Sequence, residues 1–146
     1  MKQVGFYLSG PVPVEQVLPL VARKALQAGA RMLVVSADGE QRARLDQKLW
    51  EIAAEDFLAH GDADAPHAAR QPILLSDRCE AANGATMIAL ADGDWRAEAE
   101  QFERGFLFFD DSGRARARPV WASFDNRSDM TREFFVLEDG KWIKKR

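Results

Sequence analysis

ARMLVVSADGEQRARLDQKLWEIAAEDFLAHG, residues 30–61, changes its hydrophobic period part-way along. Met32-Leu33-Val34-Val35 is an apolar, β-branched run too short for a core helix and reads as a buried strand. Asp38 follows at the position of a helix N-cap, with Gln41 three residues on in capping-box spacing. Leu45, Leu49 and Ile52 then recur at i, i+4 and i+7, one face of a helix. Trp50 and Phe57 flank that face, and His60-Gly61 closes the unit. Strand, capped turn and helix together make half of an α/β wind.

Working outward, Gln3 to Leu8 reads as a first strand stopped by Gly10-Pro11. Pro13 suits the first turn of a helix whose stripe is Val14, Val17, Leu18, Val21, Ala25 and Ala28, with Gly29 as its stop. Pro19 is expected to shorten or kink the first turns. Arg23 and Lys24 suit the C-terminal end of the helix dipole. The resulting β-α-β unit implies parallel pairing and a right-handed crossover.

On the other side, residues 62–71 are small and polar and read as a loop. Strands are expected over 72–76, 86–90 and 106–109, with a turn at 81–84. A helix is expected from Asp94 to about Arg104, with Trp95, Ala99 and Phe102 facing the core. Phe134–Leu137 and Lys141–Ile143 flank Glu138-Asp139-Gly140, a three-residue hairpin loop at the sheet edge. Lys144-Lys145-Arg146 reads as a frayed, solvated end. The expected fold is α/β: a three-layer, mostly parallel, doubly wound (Rossmann-like) sheet with an antiparallel C-terminal hairpin. No repeat or linker interrupts the chain, so residues 1–146 are expected to form one domain.

At 47% apolar and 29% charged residues the composition is that of a globular protein, and 146 residues can bury a substantial core. The net charge of −3 argues against a general nucleic-acid coat, so little direct nucleic-acid binding is expected. One cysteine, Cys79, has no disulfide or cluster partner, which suits a reducing compartment. No secretory leader is recognisable after Met1-Lys2, and no apolar run has the length of a membrane span. A cytoplasmic protein without membrane partners is expected.

The search for reactive groups is mostly empty. No phosphate-binding glycine loop and no nucleophile elbow occur, and Ser9-Gly10-Pro11 offers few free N–H groups. His60 and His67 with Asp62 or Asp64 can be arranged as metal ligands, but solvated loop histidines are the commoner arrangement. Cys79 sits beside Arg78 without a general base and reads as an inert thiol. No catalytic residue, cofactor or metal is assigned. An alternative class stays open: a small nucleotide-binding protein or hydrolase using the C-terminal strand ends near Ser9, Asp38 and Ser76.

The informative constellation is residues 110–121, DDSGRARARPVW. With Ser112 as a helix cap, Arg114, Arg118 and Trp121 fall four and three apart on one face. Such a stripe can be a solvated face whose charge Asp110 and Asp111 offset, or a surface for a carboxylate-bearing apolar peptide end. In the second case guanidiniums take the carboxylate bidentately and the ring takes the side chain. Pro119 removes a donor, which would start the helix near Arg118 and leave Arg114 in a loop.

The order Ala37-Asp38-x-x-Gln41, Leu45-Asp46, Leu49-Trp50 and Phe57-x-x-His60, with Phe6-Tyr7-Leu8 ending the first strand, resembles the chi subunit of bacterial DNA polymerase III. The match covers about the first half and thins after about Ala85. The resemblance implies a non-catalytic subunit that links the clamp loader to single-stranded DNA-binding protein during replication. It implies that the late helix, through Arg114, Arg118, Trp121 and Phe124, takes the acidic, Phe-terminated tail of that protein. Trp50 matches a family tryptophan near the same surface. Phe57 matches an aromatic that docks the psi subunit, or a helicase competing for it.

Overall fold

The computed structural model describes residues 1–52 and 59–146. Eight strands form one sheet: β1 (Gln3–Leu8), β2 (Met32–Val35), β3 (His60–Asp62), β4 (Ile73–Ser76), β5 (Met87–Leu90), β6 (Arg104–Phe109), β7 (Thr131–Glu138) and β8 (Lys141–Lys144), in the order β3-β4-β2-β5-β6-β1-β7-β8. Every neighbouring pair is parallel except β7 with β8. Three α-helices are described: α1 (Val14–Gln27), α2 (Gly39–Ile52) and α3 (Arg114–Ser123).

Both faces of the sheet are covered, which is why its central strands are apolar at successive positions. Tyr7, Val34, Leu75, Phe106 and Phe108 pack with the Val17-Leu18-Ala22 face of α1 and with Leu45 and Leu49 of α2. Phe6, Leu8, Leu33, Ile88 and Leu107 face the other way, onto Ala99, Phe102, Ala117 and Phe124. The expected three-layer, mostly parallel architecture is the one found.

Several local expectations change, each for a physical reason. Both prolines lie inside helices that run through them, Pro19 in α1 and Pro119 in α3. Pro19 is itself buried, and α3 is pinned by Ala117 and Phe124, so packing outweighs the lost backbone bond. Ala22 rather than Val21 or Ala28 completes the buried stripe of α1. The capping box at α2 is half made: the Glu40 N–H donates to Asp38 Oδ1 at 2.9 Å. Gln41 instead turns inward, donating to the Ala91 carbonyl at 2.8 Å and accepting from Ser36 Oγ at 2.5 Å. His60, expected to close the strand–turn–helix unit, instead opens an edge strand.

The helix expected over 94–104 is a single 3-10 turn, Ala97–Gln101. Arg96 is extended because its guanidinium holds Asp92, and Phe102 is extended because Glu103 already donates to the Thr86 carbonyl. The five residues between these fixed points wind as 3-10 helix, a form used in short connecting pieces. Ala99 and Phe102 still reach the core, with Trp95 packed against it.

The hairpin loop has two residues, not three. Glu138 pairs with Lys141, and Asp139 and Gly140 both have positive φ, 51° and 75°, as a type I′ turn requires. Its strand β7 lies parallel to β1 with Phe6 opposite Phe134, so β8 alone forms this edge. The closing residues are not frayed. The Lys145 N–H donates to the Phe134 carbonyl at 2.7 Å and the Phe134 N–H to the Arg146 carbonyl at 3.0 Å. Phe135 and Trp142 close on Tyr7, with ring centroids 4.8 and 5.1 Å away, so aromatic packing holds the hairpin to the sheet.

Candidate functional site

Gly113 is the pivot of the late helix. It, not Ser112, precedes Arg114 as cap, and a Cβ there would stand 3.0 Å from Phe109 Cβ, a tight contact that glycine avoids. Ser112 Oγ instead donates to Asp110 Oδ1 at 2.5 Å. From Gly113, α3 lays Arg114, Ala117, Arg118 and Trp121 along one stripe, at i, i+3, i+4 and i+7. Arg114 therefore stands on the helix, not in a loop.

That stripe and the sheet beneath it enclose an open pocket of about 320 Å³. Phe6, Leu8, Phe109 and Ala117, all buried, form its apolar floor. Trp121 and Phe134 are half-buried at its side, and Arg114, Arg118 and Arg146 are exposed around it. The Trp121 ring is held by the edge of Phe6, centroids 5.0 Å apart, and by the Arg132 guanidinium 4.4 Å from its centroid. Arg132 also donates to the Trp121 carbonyl and, at 2.5 Å, to Asp125. The indole is thereby fixed on two sides.

The charges differ in how far they are satisfied. Arg116, on the opposite side of α3, binds Asp94 at 2.6 Å. Arg114 has Asp111 alone among the described residues, at 3.9 Å, with both side chains exposed. Among the described residues no carboxylate pairs with Arg118 or Arg146. Cations without internal partners beside an apolar floor can receive a ligand that is anionic and apolar at once.

The family description "DNA polymerase III chi subunit, HolC" matches residues 1–130. The chain belongs to that family. Its similarity extends to a probable DNA polymerase III subunit chi of Rickettsia prowazekii, 25% identical over 91 residues, covering 62% of this chain and 54% of the relative. It is also similar to the DNA polymerase III subunit chi of Escherichia coli, 36% identical over 67 residues (41% and 46%). The subunit chi of Pseudomonas aeruginosa is 36% identical over 73 residues (45% and 51%). The matched stretches span about half the length of each relative.

Within this chi-family chain the residues singled out above do not all converge. Arg114, Arg118 and Trp121 meet at the pocket. Phe124 does not: it is buried, with its ring 6.2 Å from Phe6 and 5.3 Å from Trp95, and it supports α3 from beneath. Trp50 is 57% exposed, but it packs on His60 of β3, centroids 4.7 Å apart, at the far end of the sheet. It is thus separate from the pocket, because α2 covers the opposite face. Phe57 lies outside the described residues. His60 stands against Asp46 at 3.0 Å, His67 caps a 3-10 turn, and no group of three metal-ligating side chains occurs among the described residues.

A second crevice, about 230 Å³, lies at the C-terminal strand ends and is lined by Glu15, Asp38, Arg44, Asp92, Asp110 and Arg116. Of the three residues of the alternative reading, only Asp38 reaches it; Ser9 and Ser76 are buried and bond to local backbone. The N-terminus of α1 follows Pro13, and that of α2 is occupied by its own Asp38 carboxylate, so neither offers an anion cradle. Arg44 is held by Glu15 at 2.7 Å.

Asp92 closes this crevice by accepting from the Ala37 N–H and, bidentately, from Arg96. Burial pushes its carboxyl up, but the Arg96 and Ala37 hydrogen bonds outweigh this and hold it below its ordinary value of 3.8. A depressed carboxyl contributes stability above that value and loses it as pH falls through the folded one. Asp92→Asn is therefore expected to flatten the loss of stability below about pH 4, read by urea unfolding at successive pH values. A variant with the wild-type slope would separate Asp92 from acid unfolding.

Proposed function

We propose that this chi-family chain is a non-catalytic cytoplasmic adaptor of DNA polymerase III. It links the clamp loader to single-stranded DNA-binding protein by taking that protein's acidic, Phe-terminated tail. The observation that carries this reading is the pocket itself: Arg114 and Arg118 one turn apart above an apolar floor, with Trp121 fixed at the side. The guanidiniums receive the carboxylates, and the floor receives the terminal ring. The contact with a psi subunit, an equivalent clamp-loader component or a helicase stays with Phe57, outside the described residues, while Trp50 stands at the other end of the sheet from the pocket. Neither contact calls for a reacting group, a cofactor or extensive contact with DNA.

Titration of the chain with an acidic peptide ending in Phe tests the reading. Binding is expected at low salt and is expected to weaken on the order of tenfold towards 0.5 M salt, because exposed charges are screened. The same peptide with its terminal Phe replaced by Ala is expected to bind far more weakly. Equal binding of both peptides would discard the pocket as a tail receptor.

A further inference from the structure

The family match ends at residue 130, yet two residues of the pocket lie beyond it: Phe134 from β7, and Arg146 from the segment that continues β8. The backbone of Arg146 is fixed to Phe134 by its carbonyl, which accepts the Phe134 N–H at 3.0 Å, and this bond does not depend on the side chain. The neighbouring cations are neutralised locally, Lys144 by Glu133 at 2.8 Å and Lys145 by Glu138 at 3.0 Å. Arg146 is not: among the described residues no carboxylate side chain pairs with it, and it lines the same pocket as Arg114 and Arg118. Three guanidiniums drawn from two separate elements thus surround one apolar floor. They concentrate positive potential there, and a ligand carrying more than one carboxylate relieves it best.

We propose that Arg146 is a specificity residue that sets how many acidic side chains the pocket requires. While Arg114, Arg118 and Trp121 hold the end of a peptide, Arg146 takes a further carboxylate upstream in the same peptide. This rests on the tail-binding reading above. The probes are two peptides of equal length, both ending in Phe, one with three acidic residues before it and one with a single acidic residue. Each is titrated into the full chain and its variants.

The wild type is expected to prefer the triacidic peptide about tenfold. Arg146→Ala is expected to keep its affinity for the monoacidic peptide within about twofold and to lose most of that preference. Arg146→Lys, which keeps the charge but not the fork, is expected to retain part of it. If Arg146→Ala weakens both peptides equally, or neither, the assignment is overturned. Arg118→Ala separates the two ideas. Loss of both peptides on Arg118→Ala with the preference intact in Arg146→Ala sinks only the role of Arg146. No loss of either peptide on Arg118→Ala sinks the pocket reading as well. Thermal melts of each variant show that the hairpin stays folded.

Discussion

Arg118→Ala is expected to weaken an acidic, Phe-terminated peptide tenfold or more, about 1.4 kcal/mol, while leaving the melting temperature unchanged. The two halves of that result have one cause. Arg118 is exposed and, among the described residues, paired with no carboxylate, so its removal costs the folded chain little. The same freedom means its donors are unspent when a ligand carboxylate arrives, and a charge-assisted bidentate bond is worth more than a neutral one. Arg116→Ala on the other side of α3 is the control, since that guanidinium is already committed to Asp94 at 2.6 Å. Trp121→Ala is expected to act on the ring of the peptide rather than on its charge, and so to weaken binding at all salt concentrations. Unchanged isotherms for Arg118→Ala and Trp121→Ala together would remove the site.

Phe6→Ala is expected to destabilise the chain by about 3–5 kcal/mol and to abolish the pocket. Phe6 is fully buried in β1, between β6 and β7, opposite Leu107 and Phe134. Its ring meets Trp121 at 5.0 Å and Phe124 at 6.2 Å, so it carries both the wall of the pocket and the end of α3. Truncation leaves a cavity that strand neighbours fixed by the ladder cannot fill. Phe6→Leu, which keeps most of the volume, is expected to cost far less. Urea unfolding measures the first effect, and peptide titration well below the melting temperature measures the second. A loss under about 1 kcal/mol for Phe6→Ala would mean that α3 is not seated on that ring.

What was legible beforehand follows from how local each signal is. The alternation of short apolar runs with 3.6-residue stripes located β1, α1, β2 and α2 and implied a parallel sheet. The stripe Arg114-Arg118-Trp121 was legible because helix geometry alone places those side chains together. The misreadings arose where a distant partner decides. Nothing near Trp95 in sequence announces that the Glu103 N–H will be taken by the Thr86 carbonyl, and only a short 3-10 helix forms before it. Phe124, which the resemblance adds to the tail-binding residues of the late helix, is captured by Phe6, more than a hundred residues away. Arg132 carried one weak signal, a cation next to a strand start, which does not reveal that it stacks on Trp121.

The closing residues show the same limit. Lys144-Lys145-Arg146 has the composition of a solvated end, yet the type I′ turn at Asp139-Gly140 returns the chain along β7 and sets Arg146 beside Phe134. The amino-acid sequence by itself determined the α/β wind, the two-faced sheet and the cationic, aromatic stripe of the late helix, because each is written in spacings of a few residues. Only the tertiary structure decided that Phe124 is core, that Trp50 stands at the opposite end of the sheet, and that Phe134 and Arg146 complete the pocket. The last of these depends on β1 pairing in parallel with β7, a contact between residues far apart in the chain that no local period encodes.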